Sequence, residues 1–235
     1  MQDFGEAFGL AFNLVVSLDP DLMEIIGLSL RVSLSAVIIA CLIGLPLGAV
    51  IGKARFPGRG AVLIVLNSLM GLPPVVVGLC VYLMFSRAGP LGWMALLYSP
   101  TAMIVAQSIL ITPIVAALSR QVIEDLHNEY AEQFLSLCVP GHTAIGALLW
   151  DARYSLITVA LAGFGRAMAE VGAVIMVGGN IDHLTRVMTT AIALETSKGD
   201  LPLALALGGI LLAMALAVNA AVMGLRMTAA RSAYA

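Results

Sequence analysis

The chain has 235 residues, of which 60% are hydrophobic and only 11% are charged, and its formal net charge is −2. Soluble domains carry about 25% charged residues, so this composition excludes an ordinary soluble protein. It favours a single bundle of membrane helices over residues 1–235. The small negative charge gives no reason to expect a nucleic-acid partner.

Five apolar runs are long enough, or nearly so, to cross a bilayer, which takes about 20 helical residues. They are Ile25–Ile51, Ala61–Phe85, Thr101–Leu118, Leu156–Val177 and Leu201–Leu225, and the third is the shortest. The predicted fold class is therefore an all-α membrane protein with five transmembrane helices. Ahead of the first run, the apolar stretch Phe4–Leu18 is too short to span, so residues 1–20 are predicted to form an interfacial segment.

Two prolines, Pro73 and Pro74, interrupt the second run. Because proline has no backbone N–H, the pair is expected to bend the helix, which a membrane tolerates only where neighbours or water satisfy the freed carbonyls. Gly71 and Gly78 bracket the bend and let another backbone approach closely. Both a packing kink and a kink that lines a translocation path are compatible with this pattern.

A polar segment, residues 120–153, separates the third and fourth runs. Its residues Tyr130, Phe134 and Leu137 recur at helical spacing, and Pro140-Gly141 ends that helix. A second short helix is predicted over Ala144–Leu149. The pattern predicts a helix–turn–helix elbow that docks on a partner, and the alternative is a long solvated loop.

Lysines and arginines set the orientation, because cytoplasmic loops are enriched in them. Three lie on one side of the predicted membrane: Arg87, Arg186 and Lys198. Seven lie on the other side: Lys53, Arg55, Arg59, Arg120, Arg153, Arg226 and Arg231. The split predicts an outer amino terminus, a cytoplasmic carboxyl terminus and a cytoplasmic elbow.

Two charges, Arg166 and Glu170, lie four residues apart in the fourth run and hence on one helix face. Charges inside a membrane usually face protein or a water-filled cavity. We expect the pair to satisfy itself or to bind Arg31 and the elbow, while a direct role in a translocation path stays open.

Residues 178–200, which follow the fourth run, are predicted to form an extracytoplasmic segment. Within it, Val187–Leu194 is apolar enough for a short re-entrant or surface helix. Donors that suit a passing dianion are Thr185, Arg186, Thr189 and Thr190. The alternatives are that they contact an outside binding protein or form a solvated edge.

Catalytic and metal-binding patterns are missing from the sequence. The stretch Gly52-Lys53-Ala54 lacks the leading glycine and the Ser or Thr of a phosphate loop. The three histidines are scattered over both predicted faces of the membrane. We therefore expect no catalytic, cofactor or metal site here, which disfavours a membrane-embedded enzyme. An ion-coupled secondary transporter is disfavoured because no internal repeat is visible and five spans do not divide into equal halves.

Three stretches resemble the molybdate and tungstate permeases of ABC importers. Leu72–Gly78, with the sequence L-P-P-V-V-V-G, is similar to a Pro-Pro-Val-Val-Val-Gly stretch of that family, and Gly165–Ile181 is similar to its helix after the cytoplasmic loop. Thr185–Asp200 is most similar to the tungstate branch. The likeness covers about residues 25–225, in the order and at the intervals of the family.

The elbow carries a weaker form of the family's loop motif, which is Glu-Ala-Ala, three residues, Gly and a later Pro. Glu132 takes the place of the glutamate, Cys138 stands at the glycine and Asp151 lies near the proline. The resemblance implies that the core of the coupling helix, which docks on the ATPase, consists of Val139, Pro140, Gly141, His142, Thr143, Ala144 and Ile145, with Glu132 and Cys138 beside it.

The resemblance also implies a type I importer permease in a prokaryotic inner membrane, paired with a second copy of itself and surrounded by lipid. Two cytoplasmic ATPase subunits would bind ATP and Mg, and an extracytoplasmic binding protein would deliver the oxyanion. Tungstate is the expected substrate, with molybdate or another small anion as the alternative. Candidates for the translocation path are Pro73, Pro74, Gly78, Arg166, Glu170, Thr185, Arg186, Thr189 and Thr190.

Overall fold

The structure, a computed structural model, describes Phe12, Val16–Ser17 and residues 19–233, apart from the side chains of residues 222 and 225–233. The interfacial helix predicted over Phe4–Leu18 therefore lies outside the described residues for most of its length. From residue 19 to residue 233 every regular element is helical, which confirms the all-α prediction.

The α-helices follow one another along the chain with short connections, and a single 3₁₀ turn lies at Gly92–Met94. Their bounds are α1 Pro20–Lys53, α2 Arg59–Met70, α3 Pro74–Phe85, α4 Pro100–Ser136, α5 Gly141–Asp151, α6 Arg153–Met168, α7 Gly172–Gly178, α8 Met188–Lys198 and α9 Leu201–Ala233.

Three helices, α1, α4 and α9, are individually long and apolar enough to cross a membrane. Two bent pairs, α2 with α3 and α5 with α6, pass the same test only when each pair is taken together, which gives up to five spans. The first, third and fifth predicted runs thus lie in continuous helices. The third run is not a short helix, however, because α4 has 37 residues and continues through polar residues that are themselves good helix formers.

The second predicted span is broken rather than kinked. Helix α2 ends at Met70, and α3 begins after Pro73. Pro73 is the residue before α3, and Pro74 is its first residue. A missing N–H costs nothing at that position, because the first turn of a helix has no partner for it. The prolines therefore start a new helix.

The fourth predicted span, Leu156–Val177, is also two helices, since α6 ends at Met168 and α7 begins at Gly172. After this span in the chain, α8 corresponds to the short helix predicted over Val187–Leu194. Gly199 closes α8 with a φ of 84°, a left-handed conformation that glycine adopts without a Cβ clash.

The described chain divides into two compact units. The first comprises residues 19–36, 73–107 and 165–218. In it α3 lies directly against α7, because a Cβ added at Gly78 would lie 2.9 Å from the Ala173 Cα. The close backbone approach predicted at Gly71 and Gly78 is therefore confirmed at Gly78. It is wrong at Gly71, where a Cβ would meet only the Ser68 carbonyl oxygen, at 3.6 Å, among the described residues.

The second unit comprises residues 37–72, 108–164 and 219–233 of the described chain. Here α1 packs on α4 along three glycines, Gly44, Gly48 and Gly52, which follow a G-x-x-x-G-x-x-x-G spacing. A Cβ at Gly48 would lie 2.5 Å from the Ala116 carbonyl oxygen. Small residues at this spacing let membrane helices approach each other closely, and the sequence analysis overlooked this seam.

Candidate functional site: the elbow and the helix break

The elbow predicted between the third and fourth runs is present as two helices and a turn. Helix α4 continues to Ser136, Leu137 and Cys138 form the turn, and α5 begins at Gly141. The prediction of a helix–turn–helix is thus confirmed over the alternative of a long loop. The break lies one to three residues earlier than the predicted Pro140-Gly141. Helix α4 already ends at Ser136, and Gly141 is the first residue of α5.

The turn of the elbow is closed by Cys138, whose φ is 49°. Residues with a Cβ adopt this left-handed conformation at a cost of about 1–2 kcal/mol, whereas glycine does not. Cys138 stands at the position where the resembling family has glycine. The turn therefore uses a conformation that glycine adopts more readily, and Cys138 is a strained residue in it.

Two hydrogen bonds brace the elbow. The Tyr130 hydroxyl donates to Asp151 Oδ2 at 2.9 Å, which ties α4 to the end of α5. This bond raises the pKa of Tyr130. Lys53 Nζ, at the end of α1, donates to the Gly141 carbonyl oxygen at 2.6 Å. Asp151, the departure near the family's proline position, thus has a structural role here.

An apolar core and a charge cluster lie beneath this brace. The core contains the buried residues Ile123, Leu148 and Ala152. Beside it, Arg59 Nη2 binds Glu124 Oε1 at 2.7 Å, and Arg120 binds the other oxygen of the same carboxylate. The base of the elbow is therefore fixed by both packing and charge.

The outer surface of the elbow includes two leucines at its turn, Leu135 and Leu137, which are 78% and 74% exposed. We call Leu135–Thr143 the tip. Among the predicted coupling residues, Ala144 is buried in the core, and Val139 and Ile145 are half-buried. The exposed ones are Glu132, Cys138, Pro140, Gly141, His142 and Thr143. Exposed leucines were not predicted, although their position beside a helix end was visible in the sequence.

At the break between α6 and α7, Arg166 and Glu170 form an ion pair. Arg166 Nη1 donates to Glu170 Oε2 at 2.5 Å, and the other oxygen accepts from the Ala173 N–H at 3.1 Å. Arg166 lies at the end of α6 and Glu170 before the start of α7, so each charge is favourable to its helix dipole. The pair satisfies itself as expected, and Arg31 is exposed and takes no part in these bonds.

A small polar cavity of about 10 Å³ lies beside this break. Its lining includes Ser29, Ser33, Gln107, Glu170 and Thr189. The volume corresponds to about one water molecule. The sequence analysis missed Ser29, Ser33 and Gln107, whose signal is that they are hydrogen-bonding side chains within the apolar runs of α1 and α4.

Gln107 is the least satisfied group of this cavity. It is 3% exposed, its Nε2 donates to the Ala167 carbonyl oxygen at 3.3 Å, and its Oε1 has no hydrogen-bond partner among the described residues. The Thr189 hydroxyl donates to the Glu170 carbonyl oxygen at 2.8 Å. A buried amide with an unused oxygen has room to bind one further small polar molecule.

Two of the remaining predicted donors bind backbone carbonyl oxygens of nearby residues, and the third binds a side chain. Thr185 Oγ1 donates to the Gly178 carbonyl oxygen at 2.6 Å, and Thr190 Oγ1 donates to that of Val187 at 3.0 Å. Arg186 binds Asp182 at 2.7 Å. Of the nine path candidates, the structure therefore gathers Glu170 and Thr189 around the cavity and places Arg166 beside them. Arg186 lines a second pocket instead, and the others have local structural roles.

A second pocket, of about 290 Å³, lies near the start of α1 and the residues before α8. In it His183 Nδ1 lies 2.8 Å from Glu24 Oε2, and this contact raises the pKa of His183. Asp21, Glu24 and His183 form an exposed group. One carboxylate oxygen or ring nitrogen of each lies within 4.8 Å of those of the other two. His183 thus has carboxylate neighbours that the sequence analysis did not anticipate.

Comparison with known proteins gives relatives that match most of this chain, although no protein-family model matches it. The tungstate uptake system permease protein TupB of Peptoclostridium acidaminophilum is 41% identical over 226 residues, which are 96% of this chain and 99% of that protein. A probable anion ABC transporter permease protein of Haloferax volcanii is 41% identical over 206 residues, 85% of this chain and 88% of that protein. The sulfate transport system permease protein CysT of Escherichia coli is more distant, at 29% over 180 residues.

Proposed function

Because the chain belongs to the family of tungstate-type permeases of ABC importers, we propose that it carries tungstate across the inner membrane of a prokaryote. The observation that carries the proposal is the 41% identity to a tungstate uptake permease over 99% of that protein. The sulfate permease CysT of Escherichia coli is only 29% identical, which favours tungstate over sulfate. Molybdate or another small anion, moved by the same mechanism, is the second candidate.

We infer further that two copies of the chain work with two ATPase subunits in the cytoplasm and a binding protein outside. ATP and Mg bind to the ATPase subunits, and this chain supplies the membrane path. The elbow fits the coupling role because its tip presents exposed apolar side chains on a braced base. Burial of apolar surface is the dominant favourable contribution to most protein–protein association.

We propose that the helix break forms part of the anion's path. In the closed cavity its donors are engaged, since Gln107 Nε2 donates to the Ala167 carbonyl oxygen and the Thr189 hydroxyl donates to that of Glu170. When the break widens, these donors, which carry no full positive charge, turn to an ion that must enter and leave again. The Arg166 guanidinium neutralises Glu170, so the carboxylate does not repel the passing anion. A cavity of about 10 Å³ is too small for a tetrahedral oxyanion, so transport requires the break to widen.

ATP-driven uptake tests the function directly. Proteoliposomes that contain the chain, its ATPase subunit and its binding protein should accumulate tungstate only with internal ATP. Excess molybdate should compete more strongly than sulfate. Uptake that follows an ion gradient without ATP would refute the importer, and equal competition by sulfate would refute the tungstate assignment.

The docking role of the tip is tested by charge. The double variant H142E/T143E adds two negative charges to the exposed tip and should abolish co-purification with the ATPase subunit. The matched control is Q121E/N128E, which adds the same charges at two exposed positions on α4 outside the tip and should leave the complex intact. Intact complexes with both variants would contradict the docking role.

The orientation is tested by thiol labelling. Cys138 is exposed, so in a C41S/C80S background a membrane-impermeant maleimide should label it only after right-side-out vesicles are opened. A cysteine introduced at the exposed residue Ser197, in a background that also carries C138S, should be labelled from outside. The reverse pattern would invert the proposed topology.

The path role is tested by removing donors at the cavity. Q107L and T189V should lower the rate of tungstate uptake while the affinity of the binding protein stays unchanged. S197A removes an exposed hydroxyl elsewhere and serves as the control. Unchanged uptake by both cavity variants would place the path elsewhere.

A further inference from the structure

A groove of about 640 Å³ lies in the second unit, between the second half of α1 and the bend from α5 to α6. Its lining is aliphatic apart from Cys41 and the single charged residue Arg153. Leu42 is 71% exposed and Ile38 is 59% exposed. The described part of the chain therefore leaves an apolar surface open beside one cation.

Arg153 is held in place by aromatic rings. Its guanidinium carbon lies 4.9 Å from the centroid of the Trp150 ring and 4.6 Å from that of Tyr154, and Nη1 donates to the Trp150 carbonyl oxygen at 2.7 Å. No carboxylate binds Arg153 among the described residues, since neighbouring Asp151 accepts from Tyr130. The cation is thus oriented and still has N–H groups to donate.

The position of Arg153 suits a membrane surface. Tryptophan, tyrosine and arginine are enriched where a helix enters the bilayer, and Arg153 begins α6 directly after the elbow. Along α6 the groove extends from Arg153 to Ala160, a rise of about 10 Å. The groove therefore leads from the proposed cytoplasmic surface into the hydrocarbon.

We propose that this groove binds an anionic phospholipid, with an acyl chain against α1 and α6 and the phosphate on Arg153. A second copy of this chain is a poorer occupant, because an apolar span would bury the guanidinium without a counter-charge, which is costly. Leu201–Leu225, for example, contains no acidic residue. A zwitterionic lipid offers a phosphate whose own ammonium group competes with Arg153.

The site goes beyond tungstate transport and depends only on the membrane insertion and orientation proposed above. A basic residue at the membrane surface enriches anionic lipid beside it by about fivefold over neutral lipid. A lipid held at Arg153 would also cover the apolar surface beside the elbow, where α5 meets α6. Quenching of Trp150 by brominated lipid involves no transport step, so its result is independent of the proposed transport function.

Quenching of Trp150 by brominated lipid tests the proposal. The chain has two tryptophans, so W93F leaves Trp150 as the only reporter in the full-length protein. Vesicles of phosphatidylcholine would contain either brominated phosphatidylglycerol or brominated phosphatidylcholine at the same mole fraction. Phosphatidylglycerol should reach Trp150 about fivefold more effectively at limiting concentration.

Charge variants then identify the headgroup site. R153Q should reduce the preference to about one, while R153K should keep it, because lysine retains the charge at this position. The matched control R55Q removes an exposed arginine on the same proposed side of the membrane and should also keep it. A preference that survives R153Q would overturn the proposal. Absence of quenching by either lipid would show that another occupant, such as a second copy, covers the groove and would overturn it as well.

Discussion

Replacing Gly48 by alanine should destabilise the protein, whereas the same replacement at Gly27 on the same helix should stabilise it. At Gly48 the new Cβ would lie 2.0 Å from Ser119 Oγ and 2.5 Å from the Ala116 carbonyl oxygen. At Gly27 nothing lies within 4 Å of the new atom. The pair therefore separates the effect of helix packing from the effect of removing a glycine.

The two clashes at Gly48 have different costs. The Ser119 hydroxyl can rotate away, but it then loses its bond to the Gly44 carbonyl oxygen at 3.3 Å, worth about 1 kcal/mol. The Ala116 carbonyl is backbone, so α1 and α4 must separate by about 1 Å, which forfeits a quarter to a half of the dispersion energy of the atoms that line the gap. Overpacking of this kind costs about 1–3 kcal/mol, for a total of about 2–4 kcal/mol.

Thermal unfolding of the detergent-purified chain, followed by circular dichroism, measures these effects. For a chain of this size about 1 kcal/mol shifts Tm by about 2–4 °C, so G48A should lower Tm by about 5–15 °C. G27A should raise it slightly, because alanine is better than glycine in a helix by about 0.5–1 kcal/mol. G44A, whose nearest contacts are 3.0 Å, should fall between them.

Equal shifts of Tm for G48A and G27A would contradict close packing of α1 on α4 at Gly48. A larger loss of Tm for G44A than for G48A would contradict it as well. Should G48A not fold at all, the double variant G48A/S119A provides the second measurement. It removes the nearest clashing atom and should recover part of the lost stability. Without any recovery, the close approach at Ser119 would not be the cause.

Three other changes test the elbow, the helix break and the outer pocket. C138G should raise Tm, because it relieves a φ of 49° that costs about 1–2 kcal/mol, whereas L137G should lower it. E170Q should destabilise by about 1–3 kcal/mol, because Arg166 loses a charge-assisted bond, and R166Q/E170Q should be less damaging than the sum of its single variants in a melting experiment. Since contact with Glu24 raises the pKa of His183, this pair stabilises the fold below about pH 6.5 and less as pH rises through the raised pKa. H183Q should therefore flatten the decline of Tm across that window, and an unchanged profile would contradict the pairing.

Much of the fold follows from hydropathy and helix-breaking residues. The apolar runs, the elbow and the change of direction at Pro73 are all visible in the sequence, because burial in lipid demands apolar length and proline removes a donor. Hydropathy does not report where a helix ends, however. The third apolar run, Thr101–Leu118, is shorter than α4, which has 37 residues, because the polar residues that follow the run remain helical when they pack.

The site was less predictable, because it depends on which side chains meet. Ser29 and Gln107 are far apart in the sequence, and nothing local shows that they line one cavity with Thr189. The glycine seam was different, since its G-x-x-x-G spacing was present in the sequence. The break at residues 169–171 also had a local signal, because Arg166 and Glu170 are better placed at two helix ends than within one span.

Cys138 and Asp151, the two residues of the elbow that depart from the family's loop motif, are expected to influence each other's effect on stability. A glycine at position 138 would relax the turn, and Cys138 instead leaves it strained at a φ of 49°. The Tyr130–Asp151 bond holds the two arms of the elbow together across that turn, so Asp151 opposes the tendency of the strained residue to open it. The two changes should therefore be coupled. C138G should reduce the cost of D151N, and a double-mutant cycle on Tm with a coupling of about 0.5 kcal/mol or more would support this account. Strict additivity would show that strain and brace act independently.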